Sequence, residues 1–116
     1  MNNEKLYNMD FIKIYDAYIK KVERKGRTKE EVNKIIDWLL GYNENSLLTT
    51  LKDNVSVRTF FNNAPLRNNN ANNIKGVICG VRIEEIIDPL MKRIRYLDKL
   101  IDELARGKSI DKILSR

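Results

Sequence analysis

The chain has 116 residues, 42% apolar and 33% charged, with a net charge of +6 and a single cysteine, Cys79. That length suits one domain with a modest core. No apolar run nears the ~18 residues of a membrane span, the opening MNNEKLYNMD lacks a secretory apolar stretch, and one cysteine excludes an internal disulfide, so a cytoplasmic location is expected.

Phe11, Ile14, Tyr15, Tyr18, Ile19 and Val22 recur at steps of three and four and predict a first helix. Asp10 suits its cap, Gly26 its left-handed end, and Lys20, Lys21, Arg24 and Lys25 crowd the last turns, where cations complement the helix dipole. Thr28-Lys29-Glu30-Glu31 is a capping box that opens a second helix. Its buried stripe is Val32, Ile35, Ile36 and Leu39, widened by Trp38 and Leu40, and Gly41 closes it. A third helix is predicted over residues 44–53, with Leu47, Leu48 and Leu51 inward. A short fourth runs from Ser56 as cap through Phe60 and Phe61, and Ala64-Pro65 ends it.

RNNNANN, residues 67–73, has nothing to bury and reads as an exposed Asn-rich loop near residues 67–75. Residues 76–87 are rich in β-branched side chains, which favour strand. A lone strand has no obvious partner elsewhere in the chain, so a short helix over residues 81–87 is the expectation. Asp88 and Pro89 are suited to the cap and first position of a long helix that runs to Arg106 and stops at Gly107. Ser109 then caps a final turn carrying Ile110, Ile113 and Leu114. The sum is an all-α protein, a compact single-domain bundle of about five helices over residues 1–116.

The last long helix holds the strongest pattern. Ile87, Leu90, Ile94, Leu97, Ile101 and Leu104 alternate steps of three and four, with Ile at a and Leu at d, a choice that favours parallel dimers. Leu100 and Met91 widen the stripe, as in helices packed inside a domain. Intramolecular packing is the first reading; a homodimer seam through Leu90, Ile94, Leu97, Ile101 and Leu104 is the second. Trp38, Tyr42 and Tyr96 would strengthen an interface if exposed. On the opposite face Lys99 and Glu103, and Asp102 and Arg106, are opposite charges at four-residue spacing. Asp98 and Asp102 together suit a Mg²⁺ ion, but Arg95, Lys99 and Arg106 can neutralise them, so a solvated face is expected.

Residues 55–82 carry four basic side chains, Arg58, Arg67, Lys75 and Arg82, and no acid, a weak footprint for an anion or nucleic acid. Residues 28–54, which could imitate a helix-turn-helix, carry net −2, the wrong sign for a phosphate-lined groove. The absence of histidine removes Ser-His-Asp and Cys-His catalysis and the usual base near neutral pH. Cys79, among Val77, Ile78 and Val81, is expected to be buried and inert. Glu84, Glu85 and Asp98 are available to an enzyme, but nothing directs them to a reaction, and no cofactor or metal site is read.

Five motifs carry a resemblance: KGRTKEEV at residues 25–32, WLLGY at 38–42, TFFNNAP at 59–65, GVICGVRIEEIIDPLM at 76–91 and IRYLDKLIDELARGK at 94–108. Together they span nearly the whole chain in order, and the chain resembles the small bacterial proteins grouped as domain of unknown function family 2200. The resemblance implies an all-helical fold, including residues 76–87, and brings no activity, cofactor or catalytic residue. The functional expectation is a helical protein-interaction module, self-associating or paired with another protein. The alternative is weak nucleic-acid binding through residues 58–82.

Overall fold

A computed structural model describes residues 3–116. The chain folds as α1 (Glu4–Tyr7), α2 (Phe11–Glu23), α3 (Lys29–Leu40), α4 (Glu44–Lys52) and α5 (Val57–Asn62), then a 3₁₀ turn (Asn69–Asn73). A hairpin of β1 (Val77–Ile78) and β2 (Val81–Arg82) follows, with a 3₁₀ turn (Ile83–Glu85), α6 (Pro89–Ala105) and α7 (Ile110–Ile113). The fold is all-α apart from that two-stranded ribbon. Among the described residues no helix is long and apolar enough to cross a membrane.

Local chemistry sets most helix starts. Thr28 accepts from the Glu31 amide at 3.2 Å while Glu31 reaches back to the Thr28 amide at 3.0 Å, the expected capping box. The side chains of Asn43, Ser56, Asp88 and Ser109 each accept one backbone amide and cap α4, α5, α6 and α7 without the reciprocal bond. Asp10 departs from expectation. It precedes α2, but its side chain accepts no capping bond. Instead the Phe11 amide donates to the Val55 carbonyl at 2.9 Å and the Val57 amide to the Met9 carbonyl at 2.8 Å, tying the starts of α2 and α5 together. Arg27 ties the α2–α3 turn to the end of α6. It pairs with Glu31 at 2.7 Å and donates to the Leu104 and Lys108 carbonyls at 3.2 and 3.0 Å. The Leu104 carbonyl belongs to the last turn of α6, where the helix end leaves carbonyls without intrahelical partners.

α6 is the central element, packed by α2, α3, α5, α7 and the hairpin. Ile94, Leu97, Leu100, Ile101 and Leu104 are buried in the single core cluster. Phe60 lies between Phe11, stacked at 3.7 Å, and Tyr42, stacked at 4.5 Å, while Phe61 meets Phe11 edge-on. The two rings of the TFFNNAP motif thus join α5 to α2 and to the turn between α3 and α4.

Four expectations are corrected. Residues 81–87 are not a helix: β1 and β2 pair antiparallel, Val77 with Arg82 and Ile78 with Val81. The strand's partner is its own neighbour, through a two-residue turn in which Cys79 and Gly80 have φ of +54° and +75°. Two positive φ values mark the type I′ turn that matches strand twist. Cys79 is therefore exposed at the turn, not buried. The Asn-rich loop is anchored, because Ala71 and Ile74 are buried. Leu48 is half-exposed, since α4 buries only Leu47 and Leu51.

Candidate functional site

The apolar stripe of α6 is the first place to look, and it lies inside the protein. Ile94, Leu97, Ile101 and Leu104 are buried by the chain's own helices, and Leu90 is half-buried at the core's edge. Intramolecular packing accounts for these side chains, so they offer no exposed seam to a second copy. Tyr42 and Tyr96 are buried too. Ile87 breaks the heptad. It precedes the Asp88 cap and is 94% exposed. An apolar residue before a cap normally staples onto the fourth helical residue. Here that residue is Lys92, so Ile87 has nothing to cover it.

The surface that does offer apolar groups surrounds the hairpin. A cleft of about 410 Å³ opens between α2, α6 and the hairpin turn, lined by Met9, Ile14, Ala17, Ile78 and Ile94. That size falls within the range of ligand and peptide pockets. Lys13, Lys21 and Arg95 stand among the apolar walls. On the other side of Cys79 and Arg95, which line both, lies a shallower cleft bounded by Val81, Ile86, Ile87 and Met91. Val77 and Val81, at the hairpin, are 50% and 39% exposed.

Polar groups also line the larger cleft, and the sequence does not show that Tyr18 and Lys21 join them. The Tyr18 hydroxyl donates to Asp98 Oδ1, and Arg95 donates to Asp98 Oδ2 at 2.8 Å. Burial, reinforced by the Asp98 carboxylate, holds the Tyr18 hydroxyl well above the ordinary phenol range, so it stays a donor. Asp102 pairs with Lys21 at 3.2 Å and with Arg106 at 2.8 Å. Arg95 and Arg106 thus neutralise the two carboxylates as expected, while Lys99 does not. Lys99 departs from its expected partner Glu103 and donates to the Val77 carbonyl at 3.1 Å, while Glu103 pairs with Arg116 at 2.6 Å.

The four basic positions of residues 58–82 do not converge. Arg58 sits at 2.9 Å from both Glu4 carboxylate oxygens, with its guanidinium over the Tyr7 ring. Arg82 lies 3.8 Å from Glu84, whose carboxylate accepts from the Gly76 amide at 2.6 Å. That amide, with Arg82 and Lys75 assisting, holds the Glu84 carboxyl below its ordinary range. Lys75 is exposed near the same carboxylate. Arg67 alone faces a cleft, where it meets Arg93, a residue the sequence reading did not single out. Arg93 is carried on α6, far from Arg67 in sequence, and only folding brings the two together. Glu85 is exposed beside the hairpin.

The geometry of Gly41 explains how Arg67 is held. Gly41 ends α3 in the left-handed region, φ +79°, and the Leu66 amide donates to the Leu40 carbonyl at 3.0 Å. A Cβ on Gly41 would stand 2.6 Å from Leu66 Cβ and 2.9 Å from Leu66 N. Asn68 Nδ2 donates to the Trp38 carbonyl at 2.9 Å. WLLGY and the residues after TFFNNAP are one packed unit, and Arg67 lies between its two anchors.

Comparison with known proteins agrees with this whole-chain arrangement. No curated protein matches the chain. The crystal structure of uncharacterized protein SP1917 is similar at a TM-score of 0.93 and 49% sequence identity, covering 98% of this chain and 93% of that one. A family model described as an uncharacterized protein conserved in bacteria, DUF2200, matches residues 5–115. With the match running from α1 to the chain's last turn, the protein belongs to the DUF2200 family.

Proposed function

We propose that the protein is a protein-binding module whose docking surface is the apolar cleft and exposed hairpin rim, not the α6 stripe. The observation that carries this reading is the 94% exposure of Ile87, which lines the shallower cleft together with the exposed Val81 and with Ile86 and Met91. Scattered exposed aliphatics are ordinary, but a contiguous group at a cleft mouth marks an interaction site. The fitting occupant is a segment of another protein bearing apolar and acidic side chains. Lys13 lines the cleft with no ion pair among the described residues, and the chain is +6 overall. A second copy would bring the same sign to the same rim.

The test compares wild type with Ile87→Asp, a change at an exposed site that leaves the fold intact. A partner captured from extract by wild type, lost with the variant, and binding as a purified protein more weakly at high salt supports the reading. Full retention of partners by the variant overturns it. A dimeric mass in light scattering that the variant abolishes assigns the surface to self-association instead. The nucleic-acid reading has less support, because carboxylates occupy Arg58 and Arg82. Steeply salt-dependent binding of a short labelled duplex would restore it.

A further inference from the structure

A smaller cleft of about 180 Å³ lies where the end of α3, the turn after α5 and the middle of α6 meet, away from the hairpin. Its floor is Leu39 and Leu40, and its polar groups include Arg67, Arg93, Asn72 and Tyr96. No acidic side chain lines it among the described residues. Six of the nine arginines, Arg27, Arg58, Arg82, Arg95, Arg106 and Arg116, each lie within ion-pair distance of a carboxylate. Arg24 is exposed. Arg67 and Arg93 remain, and they face this one cleft.

Arg93 is held rigidly. It donates to the Phe61 carbonyl and lies 5.8 Å from the centre of the Phe61 ring, so most of its fork of donors is left for the cleft. Burial and the like charge of Arg67 both disfavour its cation. A guanidinium cannot escape by losing its proton, so an anion is what would relieve the pair. Tyr96 supplies a second, independent sign. The hydroxyls of Tyr7, Tyr15, Tyr18 and Tyr42 all donate to protein acceptors. The Tyr96 hydroxyl has no hydrogen-bond partner among the described residues, although its ring is buried in this wall. No buried polar side-chain atom is left unsatisfied, so that hydroxyl reaches the open cleft.

We propose that this cleft binds a small oxyanion, a carboxylate or a phosphate monoester with a short apolar body. The anion sits between Arg67 and Arg93, which suit planar, two-point recognition of such groups. Tyr96 is the third donor, and Leu39 and Leu40 receive the body. The volume, equal to about six waters, admits an anionic head and a few carbon atoms. Asn68 and Gly41 hold the loop that carries Arg67. This site is independent of the docking surface proposed above.

The test is an NMR titration of the full chain with sodium phosphate and, separately, sodium butyrate, against sodium chloride at matched ionic strength. The expected result is saturable shifts confined to the amides of residues 67–72 and to Arg93 and Tyr96. Preference for phosphate assigns the phosphate class, and preference for butyrate the carboxylate class. Arg67→Gln, an exposed change, should weaken binding at least tenfold without altering the rest of the spectrum, and Tyr96→Phe should weaken it severalfold. Shifts no greater than those with chloride, or unchanged affinity in Arg67→Gln, overturn the proposal.

Discussion

Replacing Gly41 by alanine should destabilise the protein through two separable effects. The first is backbone strain: a non-glycine residue at φ +79° loses about 1–2 kcal/mol. The second is overlap. The new Cβ would stand 2.6 Å from Leu66 Cβ and 2.9 Å from Leu66 N, and the second of these is backbone that cannot rotate away. Overpacking of this kind adds about 1–3 kcal/mol. The sum is about 2–5 kcal/mol. For 116 residues, at about 2.1 cal/mol/K of unfolding entropy per residue, each kcal/mol lowers Tm by about 4 °C. Gly41→Ala should therefore melt about 8–20 °C below wild type. Gly80→Ala is the control, since φ there is +75° and nothing lies within 4 Å of the added atom. It should carry the strain alone, a loss of about 4–8 °C. Thermal unfolding followed by circular dichroism measures both. Equal losses in the two variants would refute the overlap, and with it the claim that Leu66 fixes the loop bearing Arg67.

Leu97→Asp should abolish the fold, because truncating a buried leucine costs about 2–5 kcal/mol before any charge is buried; a helical, folded monomer would show that α6 presents its stripe outward. Cys79→Asn creates Asn-Gly at a turn whose two central residues both have positive φ, and should raise stability by about 0.5–1 kcal/mol in urea unfolding; a loss would argue against the I′ turn. Alkali should unfold the protein cooperatively. Burial raises all five tyrosines, Tyr7 to about 12, above the ~10 of an unfolded chain. Their contribution is complete below pH ~10 and is lost as pH climbs toward and past 12, by about 1.4 kcal/mol per pH unit for each tyrosine ionised only when unfolded. Tyrosinate absorbance and denaturant midpoints across that window test this, and a flat stability from pH 10 to 12 would contradict it.

Helix starts were legible in the sequence because a cap is a local object. The hydroxyl or carboxylate of Thr28, Ser56, Asp88 and Ser109 bonds an amide two or three residues on, and no distant group has to arrive first. Glycine stops behave alike: Gly41 and Gly107 have positive φ where the periodicity ends. The apolar faces were legible as faces, but not what covers them. A period in sequence cannot distinguish a neighbouring helix from a second molecule, and only packing buried Leu97 and Ile101 within the chain while leaving Ile87 and Leu48 uncovered. The hairpin was missed because its two strands are only two residues each, too short for alternation to emerge, and each is the other's partner. The pairing of Arg67 with Arg93 was the least readable feature. It depends on Gly41 admitting Leu66 and on Asn68 bonding the Trp38 carbonyl, contacts between segments that share no local signal. Residue type and short-range spacing thus determined α2 to α7, but neither the short α1 nor the hairpin. The positions of charges relative to one another, and so the two candidate sites, were decided by tertiary packing, because electrostatic and apolar contacts act through space and not along the chain.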